Sequence, residues 1–314
     1  MSSVEKLYTK VPSKDGIHKL NVVIWKPQNN NKVKAVLQIS HGMIEFIERY
    51  DEFATYLVQN GYAVVGHDHL GHGSTVNNQD EWGYFVEQEA SQTVVEDVYR
   101  VTCKIKEIFP DTKLILLGHS MGSFIARRYL MTYGKELDAA IIMGTGSQPK
   151  LMLIAGKLII KVLKLIYGDK HRSKFIEKVM FGAYNKRFSD NRNGKEWLTK
   201  DEEIRKWYCN EPGCSFLFTL NGYELILETL GFIQRQTNID KIPKNLPIYI
   251  VAGKDDPVGN YGKGVERVYN VYKKTGIKDI SIRLYENDRH EILNETDRQM
   301  VYKDILTWLD THSK

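Results

Sequence analysis

The segment Leu114-Ile115-Leu116-Leu117-Gly118-His119-Ser120-Met121-Gly122-Ser123 constrains the fold of this chain more than any other. Its apolar first half reads as a strand of the fully buried kind. A G-x-S-x-G turn follows, and the next residues (FIARRYLMTYG) read as a helix. A strand that turns this sharply into a helix needs small residues at the turn, which Gly118 and Gly122 supply. The turn forces Ser120 into a strained, outward-facing position. The helix N-terminus then lies under any negative charge that develops beside it. In this context Ser120 is a candidate nucleophile rather than a serine in a glycine-rich turn.

The rest of the chain repeats the rhythm. Asn21–Trp25, Ala35–Ser40, Tyr62–Gly66, Ala139–Met143, Pro247–Ala252 and Ile280–Tyr285 are short apolar runs that read as strands. Helical spacing appears in Arg49–Asn60 (stopping at Gly61), within Ser91–Phe109, around Gly262–Thr275 and at the C-terminus. Nearly all-apolar strands separated by helices predict an α/β fold, a mostly parallel sheet covered on both faces. The strands up to about Pro27 are expected to be antiparallel edge strands. Residues 150–245 break the rhythm, being helical and loop-like with no convincing core strand. They read as a helical cap inserted into a core of residues 1–149 and 246–314. With 314 residues, 42% of them hydrophobic, the chain is large enough to bury such a core.

Several classes are disfavoured. Three cysteines, Cys103, Cys209 and Cys214, do not make a disulfide framework, and none has partners at zinc-ligand spacing. A net charge of +5 is too mild for a nucleic-acid binder. No signal-peptide pattern and no run of 18 uncharged apolar residues is present, so a soluble, cytoplasmic protein is expected. His67-Asp68-His69-Leu70-Gly71-His72-Gly73 looks like a metal cluster, but a tight turn after a strand would splay those ligands. Neither a metal nor an organic cofactor is expected.

A serine nucleophile needs a base and an orienting carboxylate, and in a fold of this kind they follow in the order serine, acid, histidine. Asp255 and Asp256 lie just after the strand that ends at Ala252, and both are candidates for the acid. His290 follows the next strand and is expected to open the last helix. The strand Ala35–Ser40 runs into His41-Gly42-Met43-Ile44-Glu45, where a backbone N–H can face an oxyanion. The Met43 and Met121 amides are the candidate donors. Glu45 and Arg49, four apart, are read as structural supports. His119 is placed either at the acyl group or in the core.

HGMIEFIERYDEFA, DHLGHGS, GHSMGS, GKDDPV and RHEILNE, in this order, resemble the α/β-hydrolase superfamily, and within it the monoacylglycerol lipase and bacterial lysophospholipase (serine aminopeptidase-like) group. The resemblance implies an eight-stranded sheet with a reversed second strand and a cap after the sixth. It implies Ser120 as nucleophile, His290 as base and Asp256 rather than Asp255 as acid. Phe46 stands where the group usually has a histidine, which should make the entrance more apolar and places Phe46 among the substrate contacts. The implied reaction is hydrolysis of a carboxylic ester with an apolar acyl group, a monoacylglycerol or lysophospholipid, through an acyl-enzyme. An aryl or short-chain esterase, a small-substrate aminopeptidase, and a non-catalytic binding protein on a hydrolase scaffold are the alternatives.

The charge is uneven. Residues 150–245 carry 18 Lys+Arg and 11 Asp+Glu, which leaves the remainder slightly acidic. Lys150, Lys157, Lys161 and Lys164 fall on one stripe of a helix that is otherwise apolar. This suggests a cap that meets an anionic lipid surface or head group. Trp197, Trp207, Tyr208, Phe216, Phe218 and Tyr223 offer aromatic surface for an acyl pocket or for packing.

Overall fold

A computed structural model describes residues 3–28, 33–188 and 194–313. The sequence-stretch read as a cap includes residues 189–193, which lie outside the described residues. Eight strands form one sheet: β1 (Val4–Pro12), β2 (Lys19–Pro27), β3 (Val36–Ser40), β4 (Ala63–His67), β5 (Leu114–His119), β6 (Ala139–Met143), β7 (Ile248–Gly253) and β8 (Ile280–Tyr285). Their spatial order is β1-β2-β4-β3-β5-β6-β7-β8. β2 is antiparallel to both β1 and β4, and every other pairing is parallel. The chain has the α/β-hydrolase fold that the resemblance implied, including the reversed second strand.

The sequence explains the layering. Every residue of β3 to β7 is buried, as continuous apolar runs require. The edge strand β1 is largely exposed and carries Lys6 and Lys10, charges that discourage further pairing. Helices α1 (Asp51–Gln59) and α10 (Arg298–His312) cover one face, with Phe53, Leu57, Ile305 and Leu309 in its core. Helices α2 (Ala90–Ile108), α3 (Met121–Tyr133) and α9 (Lys263–Lys274) cover the other.

Between β6 and β7 lie α4 (Lys150–Tyr167), α5 (Lys174–Phe181), α6 (Glu202–Asn210), α7 (Leu220–Ile233) and the short α8 (Gln236–Ile239). Among the described residues here the only strand-like pairing is a single bridge between Arg172 and Thr219. Helix α7 packs on α2 and α3 with α4 laid across it, so this segment shares the core of that face.

Two local expectations change. His290 does not open the last helix; it sits in a loop, followed by a 3₁₀ turn at Ile292–Asn294 and then α10. The Glu295 carboxylate accepts from the Arg289 amide (2.7 Å) and the Lys200 amide (2.9 Å), so this backbone is satisfied without helix. The lysine stripe of α4 is also split: Lys150 and Lys161 are exposed, and the other two are drawn inward. Lys164 turns inward onto Glu224 and Asp169, and Lys157 is half-buried against α7. Leu153 and Ile160 are the buried apolar positions, while Leu151, Leu158 and Leu165 are 80%, 62% and 81% exposed. Lys157 and Lys164 turn inward because α7 presents Glu224 and Glu228 to them.

Candidate active site

The parallel strands point their C-terminal ends at one edge of the sheet, where an open α/β sheet forms its crevice. Ser120, after β5, has φ 53° and ψ −120°, a backbone conformation that costs a non-glycine residue energy and turns its side chain out of the strand line. The turn closes because Gly122 has no side chain; a Cβ there would overlap the carbonyl oxygens of Ser40 and His41. The Ser120 amide is held by the Met143 carbonyl at 3.0 Å, which locks the turn to β6.

The loop after β8 meets the end of β7 at close quarters. A Cβ on Gly253 would collide with the carbonyl oxygens of Asp288 and Arg289, so glycine is what lets the two loops touch. His290 thereby comes to lie between Ser120 and Asp256. Its Nε2 is 2.8 Å from Ser120 Oγ and its Nδ1 is 2.9 Å from Asp256 Oδ2. Asp256 is fully buried and its other oxygen accepts from the Val258 amide at 2.8 Å. Asp255 is only half-buried, its amide donates to the Asp288 carbonyl at 2.9 Å, and it is Asp256 that meets His290. With the Asp256 carboxylate accepting from Nδ1–H, Nε2 is left to accept the serine proton.

The loop after β3 lies against the serine: a Cβ on Gly42 would be 3.1 Å from Ser120 Cβ. Among the described residues neither the Met43 nor the Met121 amide donates to a protein acceptor. Met121 follows the serine in the chain and Met43 follows Gly42, so these two partnerless amides are the candidates to receive an oxyanion.

A buried charged cluster lies beneath. Arg49 donates to Glu45 at 2.7 Å and makes a two-pronged pair with Glu291 at 3.0 and 2.8 Å. His119 Nδ1 approaches Glu45 (3.2 Å) and the Tyr50 hydroxyl (3.1 Å), and its Nε2 approaches the His290 carbonyl (3.4 Å). Burial opposes charge on Glu45, but the His119 bond and the Arg49 charge outweigh it and hold the carboxyl well below its usual range. Burial likewise lowers His119, but Glu45 reverses this and raises it. With both ring nitrogens engaged and only 5% of its surface exposed, His119 offers a substrate no polar atom and acts as a support. Phe46 is half-buried under the insertion, against Trp207 and Gly213.

The histidine-rich turn is a hydrogen-bond frame under the same loop. His41 Nδ1 faces the Gly42 carbonyl (2.8 Å) and its Nε2 accepts from the His69 amide (3.0 Å). His72 Nδ1 faces the Leu70 carbonyl (2.9 Å), and its Nε2 accepts from the Ile44 amide (3.3 Å). Burial, with the neighbouring His41, holds His67 and His72 down at about 3, so they are neutral. No group of His, Cys, Asp or Glu among the described residues could hold a metal ion, and no described helix is long and apolar enough to cross a membrane.

Motif reading assigned no role to Glu291, which follows His290 directly. It singled out no one aromatic either. Trp197 packs beside the base, its ring 5.1 Å from that of His290 and its carbonyl accepting from the His290 amide. Phe218 and Tyr223 are fully buried packing residues.

Residues 31–297 match the family described as serine aminopeptidase, S33. The chain is 32% identical to the monoglyceride lipase of Rattus norvegicus over 98% of its own length and 94% of that protein. It is 26% identical to a probable lysophospholipase L2 of Haemophilus influenzae, over 91% and 87% respectively. A thermostable carboxyl esterase from Bacillus coagulans, solved with glycerol, superposes over the whole of both chains with a TM-score of 0.90 and 26% identity. The chain therefore belongs to the serine aminopeptidase S33 family of α/β-hydrolases, within its group of carboxylic ester hydrolases that holds the monoacylglycerol lipases and lysophospholipases.

Proposed function

We propose that this enzyme hydrolyses the ester of a single-chain acyl lipid, a monoacylglycerol or a lysophospholipid, through an acyl-enzyme on Ser120. The observation that carries the reading is the continuous relay from Ser120 Oγ through His290 to buried Asp256, at 2.8 and 2.9 Å. Ser120 attacks the carbonyl as His290 takes its proton, and Asp256 steadies the imidazolium. The Met43 and Met121 amides receive the tetrahedral oxyanion, in a setting where fixed dipoles act more strongly than water would. His290 returns the proton to the leaving alcohol, then activates the water that releases the acid.

The segment 150–245 serves as the cap in this reading. The contiguous exposed Leu151, Leu158 and Leu165 of α4, with Phe175 and Val179 of α5 at 60% each, support a cap that rests on a lipid surface by apolar contact. The lysines flank this contact rather than form it.

Labelling with a fluorophosphonate and mapping the adduct tests the nucleophile. A panel of monoacylglycerols, lysophospholipids and aryl esters of graded chain length tests the substrate. Adduct on Ser120 with a rate rising along the acyl series is expected. Equal rates on short aryl esters and long acyl lipids would favour the short-chain esterase reading instead.

A further inference from the structure

Ile44 has φ 56°, in the left-handed region that a β-branched residue rarely adopts. Such a conformation persists only where its surroundings over-determine it. Here both backbone groups of Ile44 are held by distant parts of the chain. Its amide donates to His72 Nε2 at 3.3 Å, from the turn after β4. Its carbonyl accepts from the Tyr208 hydroxyl at 2.8 Å, from α6 of the insertion. The neighbours are held as well, since the Gly42 amide donates to the Glu45 carboxylate. Between these anchored residues sits Met43, whose amide has no protein acceptor among the described residues.

Tyr208 is fixed for this task. It is 5% exposed, its ring lies 4.9 Å from the Arg49 guanidinium, and burial keeps its hydroxyl protonated and able to donate. Its helix is capped by Asp201, which accepts from the Glu203 and Ile204 amides. The segment leading into that helix grips the histidine loop: the His290 and Glu291 amides donate to the Trp197 and Leu198 carbonyls. One stretch of the insertion therefore touches the base loop at its start and the Met43 loop at its end.

We propose that Tyr208 is a positioning residue for the oxyanion loop: its hydroxyl holds the Ile44 carbonyl in the left-handed conformation that keeps the Met43 amide turned to the space beside Ser120. This rests on the reading of the Met43 amide as an oxyanion donor. The oxyanion site is then complete only while the insertion is seated. Catalytic competence is thereby tied to cap position through one hydrogen bond.

The test is Tyr208→Phe, which removes the hydroxyl and keeps the ring, read on a soluble p-nitrophenyl butyrate substrate. Losing a donor outright costs a hundredfold or more, so loosening one is expected to lower kcat by about tenfold, with KM and the pH profile unmoved. The second-order rate of fluorophosphonate labelling should fall by a similar factor, since that adduct also places an oxygen in the site. A second arm uses Ile44→Gly, because glycine takes the left-handed conformation without strain. Tyr208→Phe should cost clearly less in the Ile44→Gly background than in the wild type. Wild-type rates in Tyr208→Phe, or equal costs in the two backgrounds, would overturn the proposal. If wild-type protein forms no Ser120 adduct, the reading of the site falls and this inference with it. If wild type labels and Tyr208→Phe labels equally fast, only the role of Tyr208 falls.

Discussion

Arg49 and Glu291, 242 residues apart in sequence, face each other as a two-pronged ion pair buried under the site, each side chain less than a tenth exposed. The pair joins the turn before α1 to the residue after His290. Glu45 completes it on the other side of Arg49, and the Asn294 side chain donates to Glu291 at 2.8 Å. Breaking such a pair strands a buried charge. Arg49→Met is therefore expected to destabilise the fold by about 3–5 kcal/mol. Urea unfolding checks this, and a loss below about 1 kcal/mol would show that the pair adds nothing net. Glu291→Gln should cost less, because the amide keeps one acceptor for the guanidinium.

The choice between the adjacent aspartates is a kinetic prediction. Asp256→Asn removes the carboxylate at 2.9 Å from His290 and should lower kcat by about 10³–10⁴-fold. Asp255→Asn changes a half-buried residue next to the one that bonds His290, and should stay within about threefold of wild type. The reverse order would move the acid by one residue.

The histidine frame predicts an acid limb of stability. His67 has both ring nitrogens buried without a partner among the described residues, and burial holds it at about 3 in the fold against about 6.5 unfolded. Below pH 6.5 the unfolded chain takes up a proton that the fold refuses. Stability from this group is thus full above about 6.5 and is lost as pH falls toward about 3, by about 1.4 kcal/mol per unit. His72, held at about 3, acts in the same direction, as do the lowered His41 and His69. His119, raised, acts oppositely and loses its contribution as pH rises past its folded value. Replacing His67 isolates one group from this sum. His67→Leu should shrink the stability difference between pH 7 and pH 5 by about 2 kcal/mol, read from urea titrations at the two values. An unchanged difference would mean that His67 is not the neutral buried group described.

The apolar outer face of α4 predicts lipid binding with modest dependence on lipid charge. Leu151→Asn/Leu158→Asn/Leu165→Asn should abolish co-sedimentation with phosphatidylcholine vesicles while the thermal midpoint holds, because these side chains are largely exposed. Undiminished sedimentation would remove α4 from the interface. Lys164→Glu is a poor probe of the same question, since it would set a third acid beside Glu224 and Asp169 and disturb α4 itself.

Much of the molecule was legible before folding. The apolar runs gave away β3 to β7 because a strand buried on both faces leaves no room for alternation. The Ser120 turn was legible because its backbone geometry demands glycine at set offsets. His290 and the Asp255–Asp256 pair followed from strand order, although choosing Asp256 took the resemblance to a family. The start of α10 was misplaced, because the Glu295 carboxylate satisfies backbone that would otherwise turn helical. Which lysines of α4 stay in solvent was not legible, because amphipathic spacing shows that a helix has two faces without showing how far each is covered. Glu224 on another helix settled that.

Local chemistry along the chain thus determined which strands are buried, where the nucleophile turns out, and that a base and an acid follow it. Only the tertiary structure decided which carboxylate meets the base, that Arg49 is shared between Glu45 and Glu291, and that Tyr208 reaches the Ile44 carbonyl. The physical reason is range. Periodicity and turn geometry are written in neighbouring residues, whereas a buried charge or a strained carbonyl is satisfied by whatever side chain the fold brings to it, from any distance in sequence.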